Sequence, residues 1–181
     1  MDIKKLENHS KNTRKQAEAL LKSTRILDVL KKYGNVHLIG SYPLNIMYGP
    51  DIDIVVESKN IRKSSVNALK EIVDKKLFRK IEYGDFVKFP MEKRPKGYIL
   101  VLKAVVENVK WEIEVWFLED VSEQLGHYNF LESEITKQKR IKILKAKCLR
   151  DTSKKSKHAL SSYEIYRHIF GNANATKKQN S

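Results

Sequence analysis

The sequence predicts an α+β fold, and three observations carry that prediction. Two apolar runs, residues 36–39 and 52–56, are each of strand length and are separated by a segment rich in turn residues. Downstream, residues 98–106 and 110–118 flank Glu107-Asn108-Val109 as a hairpin, and the second of them alternates apolar and polar side chains. The rest of the chain places apolar residues at helical spacing before, between and after these strands.

Taken in order, a polar stretch to about Asn12 is expected to fray. A helix then runs to about Lys32 with Ala17, Leu20, Leu21, Leu27 and Leu30 on its buried side. After the first strand, Ser41 is a good N-cap for a short helix through Leu44 and Met47, with Pro43 tolerated in its first turn. Asp51 opens the second strand. Residues 61–76 read as a helix carrying Val66, Leu69, Ile72 and Val73, and residues 80–89 as irregular or extended. Helices over about 135–149 and 161–170 follow the hairpin, the last opened by a capping box, Ser161-x-x-Glu164. No repeat or linker divides the chain, so residues 1–170 are expected to be a single domain and the polar residues 171–181 a disordered tail.

The chemistry concentrates in two places. Asp51 and Asp53 are alternate residues of a strand, so they share a face with Cα atoms roughly 6.5 to 7 Å apart at about 3.3 Å per residue. That spacing suits carboxylates converging on one or two hard cations. Ten residues before Asp51 comes Ser41, after Gly40. Glycine lets the backbone approach a ligand closely, and the free N–H groups at the N-terminus of the short helix expected after Ser41 form an anion site. In Lys110-Trp111-Glu112-Ile113-Glu114-Val115-Trp116-Phe117-Leu118, Glu112 and Glu114 share one face with Lys110 and Trp116. An acid between apolar residues on a central strand is costly to bury unless paired or metal-bound, and either Glu can be that ligand.

Gly40-Ser41, then Asp51-x-Asp53, then a later acid in an apolar strand resembles the DNA polymerase β-like nucleotidyltransferase superfamily, especially its minimal single-domain members. The segment Gly40-Ser41-Tyr42-Pro43-Leu44-Asn45-Ile46-Met47-Tyr48-Gly49-Pro50-Asp51-Ile52-Asp53, with Trp116-Phe117-Leu118 and Ser161-Ser162-Tyr163-Glu164-Ile165-Tyr166-Arg167, carries the similarity, which spans about 36–170. The resemblance implies a mixed sheet flanked by helices with a helical C-terminal part. It also implies metal-dependent transfer of a nucleoside monophosphate from a nucleoside triphosphate such as ATP to an acceptor hydroxyl. Asp51, Asp53 and Glu114 would be the catalytic acids holding two Mg²⁺ ions, although the superfamily more often has Asp at the third position. Glu112 would then support the site or face substrate. Gly40 and Ser41 would bind phosphates. Lys96, after a Pro-flanked loop, is a candidate to reach a phosphate and Tyr163 to stack on a base. A catalytically silent nucleotide- or RNA-binding module is the alternative.

Composition narrows the partners. The 181 residues are 41% hydrophobic, enough for a sizeable core. No apolar run approaches the roughly 20 residues of a membrane span, and the N-terminus lacks the apolar core of a signal peptide. A cytoplasmic location is therefore expected. Lone Cys148 lies at helical spacing from Ile141 and Leu144, as a core thiol would. The five histidines show no metal-ligand spacing, and no Walker-type phosphate loop is present. The net charge of +14 is concentrated between residues 137 and 157. There Lys137, Lys139, Arg140, Lys142, Lys145, Lys147, Arg150, Lys154, Lys155 and Lys157 stand against one acid, Asp151. Such a patch suits RNA or a triphosphate. The acceptor itself, whether RNA, protein or small molecule, is left open.

Overall fold

Alternating side chains build a mixed sheet of five strands in the order β1-β2-β5-β4-β3. The strands are β1 (Asn35–Ile39), β2 (Asp51–Glu57), β3 (Lys80–Asp85), β4 (Tyr98–Val106) and β5 (Val109–Leu118). Only β2 and β5 run parallel; the other neighbours are antiparallel. The helices are α1 (Ile3–Thr24), α2 (Ile26–Leu30), α3 (Ile61–Asp74), α4 (Ser122–Glu134), α5 (Lys137–Thr152) and α6 (Ser162–Phe170). This computed structural model describes residues 2–152 and 160–171. Lys154, Lys155 and Lys157 of the basic segment and residues 172–181 of the expected tail lie outside the described residues.

The two faces of the sheet have different work. On one, Ile52, Ile54, Val56, Leu100, Leu102, Trp111, Ile113, Val115 and Phe117 pack under α1, α2 and α3 in the main core. The other carries Asp51 and Asp53 at the start of β2 beside Glu112 and Glu114 in the middle of β5, and Val55, Trp116 and Leu118 further along. Over the acids, α4, α5 and α6 close a separate core of Leu131, Ile143, Ile165 and Tyr166 around Leu44 and Ile46 of the β1–β2 connection. The helical C-terminal part thus forms the second wall of a cleft whose floor is the acidic part of these two strands.

Several elements differ from the sequence expectation. The N-terminal stretch does not fray: α1 starts at Ile3, capped by Asp2 accepting from Lys4 N at 2.9 Å. Leu6 holds this turn against Leu144 and Cys148, with Ser10 and Thr13 buried along the same side. Arg25, in the left-handed region at φ 49°, breaks the helix. The break resets the helical phase, so Ile26 and Val29 are buried and Leu27 is only partly so. On α3 the inward stripe is Ile61, Ser65, Ala68 and Ile72, whereas Val66 and Val73 are exposed; small side chains let the helix sit close to β4 and β5. Residues 80–85 are a full edge strand. The sequence reading passed over α4, which has no apolar stripe and buries only Leu131. The hairpin, the α6 capping box and the buried Cys148 are as expected. No helix among the described residues is long and apolar enough to cross a membrane.

Candidate active site

The register of β2 on β5 assembles the acids. Asp51 pairs with Glu112 and Asp53 with Glu114, so four carboxylates lie as two cross-strand pairs on one face. Neighbouring strands are about 4.8 Å apart, close enough for like charges to raise each other's pKa. Burial first, and then the charges of Asp51 and Glu114, push Asp53 up to about 7. Burial also raises Asp51, opposed by Lys147 and Arg150. Both Asp residues keep some contact with solvent although protein surrounds them on most sides, as on a cleft floor.

The β1–β2 connection, residues 40–50, forms the rim. Gly40 takes φ 73°, and a Cβ there would overlap the Asp53 carboxylate, so only glycine allows this approach. Gly49 is equally close to Asp51: a Cβ would stand 2.7 Å from its Oδ1. Ser41 is 3% exposed and its Oγ has no hydrogen-bond partner. An orphaned buried hydroxyl costs about 1 to 3 kcal/mol, and one beside a carboxylate cluster suits a ligand that completes it.

The short helix expected after Ser41 is absent. Residues 40–45 form hydrogen-bonded turns, with Ile46 N donating to Ser41 O at 3.1 Å, and Asn45 is left-handed at φ 56°. A helix would satisfy its own carbonyls; here α5 does so. Arg140 Nη1 donates to Leu44 O at 2.7 Å and Asn45 O at 2.8 Å, and Lys147 Nζ to Ile46 O at 3.1 Å. His9 Nε2 meets Tyr48 O at 2.9 Å.

These bonds change the meaning of the basic segment. Lys147 is 2% exposed, over the Tyr166 ring at 5.3 Å, and burial pushes its ammonium down to about 8 against the pull of Asp51 and Asp53. It is the buried cation beside the two aspartates. Its place was legible, since Ile143 and Leu144 precede it by four and three residues on the buried face. Lys139 pairs with Glu134, and Arg150 with Asp151 and the Ser162 hydroxyl. Among the described basic residues of the segment, Lys137 and Lys142 are the exposed ones.

The other predicted site residues separate. Lys96 lines a cavity of about 400 Å³ with Ile61, Leu118 and Gln124. That end of β5 is beyond the Tyr98–Phe117 pair, while Glu114 is opposite Val101, so Lys96 is not brought to the acids. The loop cation that reaches them is Arg94, 3.8 Å from Glu114 Oε2. Glu112 instead meets Lys103 at 3.4 Å and is the more exposed of the two, 43% against 28%. Tyr163 is 52% exposed with its ring 5.6 Å from that of His127. One helical turn on, Tyr166 is buried near Asp51 and Asp53, which with burial raise its phenol.

Three acidic, histidine or cysteine side chains do not converge at metal-ligand distance among the described residues. The donor chemistry nevertheless fits a hard divalent cation: carboxylate oxygens with a hydroxyl close by, in a cleft where two aspartates repel each other.

No family model matches the chain, and no curated protein matches it in sequence. Solved structures do. The polymerase core of TRAMP, an RNA surveillance complex, is 15% identical with a TM-score of 0.55 over 83% of this chain and 46% of its own. A cytoplasmic RNA terminal U-transferase is 14% identical with a TM-score of 0.56, covering 88% of this chain and 51% of its own. The GLD-2/RNP-8 complex is 13% identical with a TM-score of 0.52, covering 93% and 55%. The chain therefore spans about half the length of these structures. With this strand order, the acids on parallel β2 and β5 and the Gly-Ser rim, the chain shares the fold of these polymerase and U-transferase cores.

Proposed function

We propose that the protein transfers a nucleoside monophosphate from a nucleoside triphosphate to an acceptor hydroxyl, releasing pyrophosphate, with residues 1–170 as one catalytic unit. The observation that carries this reading is the pairing of Asp51 and Asp53 with Glu112 and Glu114 beneath Gly40 and the unpartnered Ser41 hydroxyl. A binding surface has no need for carboxylates concentrated where a polyanion would sit.

Asp51, Asp53 and Glu114 would hold two Mg²⁺ ions, which when bound neutralise the triphosphate and lower the pKa of the acceptor hydroxyl. Glu114 is preferred to Glu112 because it is the less exposed, and because its charge weighs more on Asp53. The Ser41 hydroxyl would donate to a phosphate oxygen, and Gly40 leaves room for that group against the rim. Lys147 keeps the rim in place through Ile46 O and partly offsets the charge of the two aspartates. Tyr163, exposed near the start of α6, is available to a base. The solved structures of similar fold include an RNA terminal U-transferase and the polymerase core of an RNA surveillance complex, which favours RNA as the acceptor.

The test is incubation with each labelled nucleoside triphosphate, Mg²⁺ and either an oligoribonucleotide or a cell extract. Label in the RNA, or in a protein or small-molecule fraction, identifies the acceptor. A nucleotide that binds with no label transferred from any of the four would favour the silent module.

A further inference from the structure

A second concentration of cations has no part in the chemistry above. Between α1 and α5 a cavity of about 370 Å³ is lined by Lys11, Arg14, Lys15 and Arg140, against two acids, Glu7 and Glu18. Its volume is within the roughly 300 to 1,000 Å³ of small-ligand sites. None of the four carboxylates of β2 and β5 lines it; the only rim residue that does is Asn45.

The guanidinium groups are fixed before any ligand arrives. Arg140 Nη1 makes both bonds to the Leu44 and Asn45 carbonyls. Arg14 donates to the Asn45 side chain and stacks over the Tyr42 ring at 5.3 Å. Its Nε is buried with no hydrogen-bond acceptor, the nearest acid being Glu18 Oε1 at 3.6 Å. Lys11, Arg14 and Lys15 occupy one face of α1 at i, i+3 and i+4, where like charges repel unless an anion lies between them. An unsatisfied guanidinium N–H, a preset fork and excess positive charge are what a phosphate group takes up.

We propose that this α1–α5 cavity is a binding site for a phosphate group, separate from the nucleotide site. The group comes either from a nucleic-acid backbone or from a free phosphate compound. Lys11 and Lys15 supply most of the long-range attraction, and Arg14 and Arg140 the directed hydrogen bonds.

Calorimetric titration without Mg²⁺, using pyrophosphate and separately a single-stranded oligoribonucleotide, tests the site without needing turnover. It therefore stands or falls apart from the transferase reading. Lys11 and Lys15 are exposed, so the double variant Lys11→Gln/Lys15→Gln should fold. It should weaken at least one probe about tenfold, while Asp53→Asn leaves that binding in place. Loss of pyrophosphate binding identifies a free phosphate compound. Loss of oligoribonucleotide binding alone identifies a backbone. In that case the log–log salt slope should fall by roughly 1.4, two contacts at about 0.7 each. Absence of binding by both probes, affinity for both unchanged in the double variant, or binding lost in Asp53→Asn alone would overturn the proposal.

Discussion

At the scale of single residues, Asp53 opposes folding, a cost that the proposed metal-binding role would explain. Its native pKa of about 7 lies above the 3.8 of an unperturbed Asp. Between these values the native state holds a proton that the unfolded chain has released, so stability falls as pH rises from about 4 to 7. Asp53→Asn should remove that fall, raising stability at pH 8 by up to about 4 kcal/mol at about 1.4 kcal/mol per pK unit, while abolishing transfer. Thermal melts across pH and a transfer assay on the same sample check both parts; retained activity would remove the metal-site proposal. Lys147→Met should do the reverse. Removing a buried charge next to an opposite one costs about 3 to 5 kcal/mol, and the loss should shrink at pH 5 as Asp53 becomes neutral. Glu114→Gln should lower turnover at least tenfold more than Glu112→Gln with little change in nucleotide affinity. Steady-state kinetics on both variants decides which glutamate is the third acid.

At the scale of elements, short local devices set the geometry of the cleft. The β4–β5 turn carries Glu107 at φ 49° and Asn108 at φ 65°, both in the left-handed region that a two-residue hairpin turn requires. Asn108→Gly should stabilise the protein by a few tenths of a kcal/mol and Asn108→Val destabilise it by about 1 to 2 kcal/mol, read in denaturant melts. The capping box of α6, in which Ser161 Oγ accepts from Glu164 N at 3.2 Å, positions Tyr163 and Tyr166. Ser161→Ala should cost about 1 kcal/mol. If α6 contributes to the nucleotide site, the same variant should raise KM for the triphosphate. The Gly40–Pro50 connection behaves differently: its carbonyls are held by α5 cations more than a hundred residues away in part, as with Lys147 and Ile46.

At the scale of the whole molecule, the charge of +14 divides into internal and external parts. Arg140, Lys147, Lys139 and Arg150 are engaged within the protein, which leaves exposed Lys137 and Lys142 and half-buried Lys145 as the remaining charge on α5. If the remaining lysines of the segment touch single-stranded RNA, changing Lys154, Lys155 and Lys157 to Ala should lower the log–log salt slope by roughly 2 units, at about 0.7 per contact. Filter binding over a range of salt measures it, and an unchanged slope would assign RNA contact elsewhere.

The sequence by itself determined the parts that depend on local pattern. Alternation placed Trp111, Ile113, Val115 and Phe117 on one face of β5 and Glu112 and Glu114 on the other, and the Gly40-Ser41 and Asp51-x-Asp53 pair marked the cleft. The Ser161 capping box was equally local. Only the tertiary structure decided which strand lies beside β2. The parallel pairing with β5 brings Glu112 and Glu114 to the aspartates across some sixty intervening residues, and no periodicity encodes a register between distant strands. The start of α1 at Ile3, the turns after Ser41 and the carbonyl that Lys147 meets were decided the same way, because partners elsewhere in the chain overrode local propensity. Nor did charge composition say which cations face water. A lysine or arginine can satisfy a distant carbonyl as readily as a phosphate, and only packing decides which of them it meets.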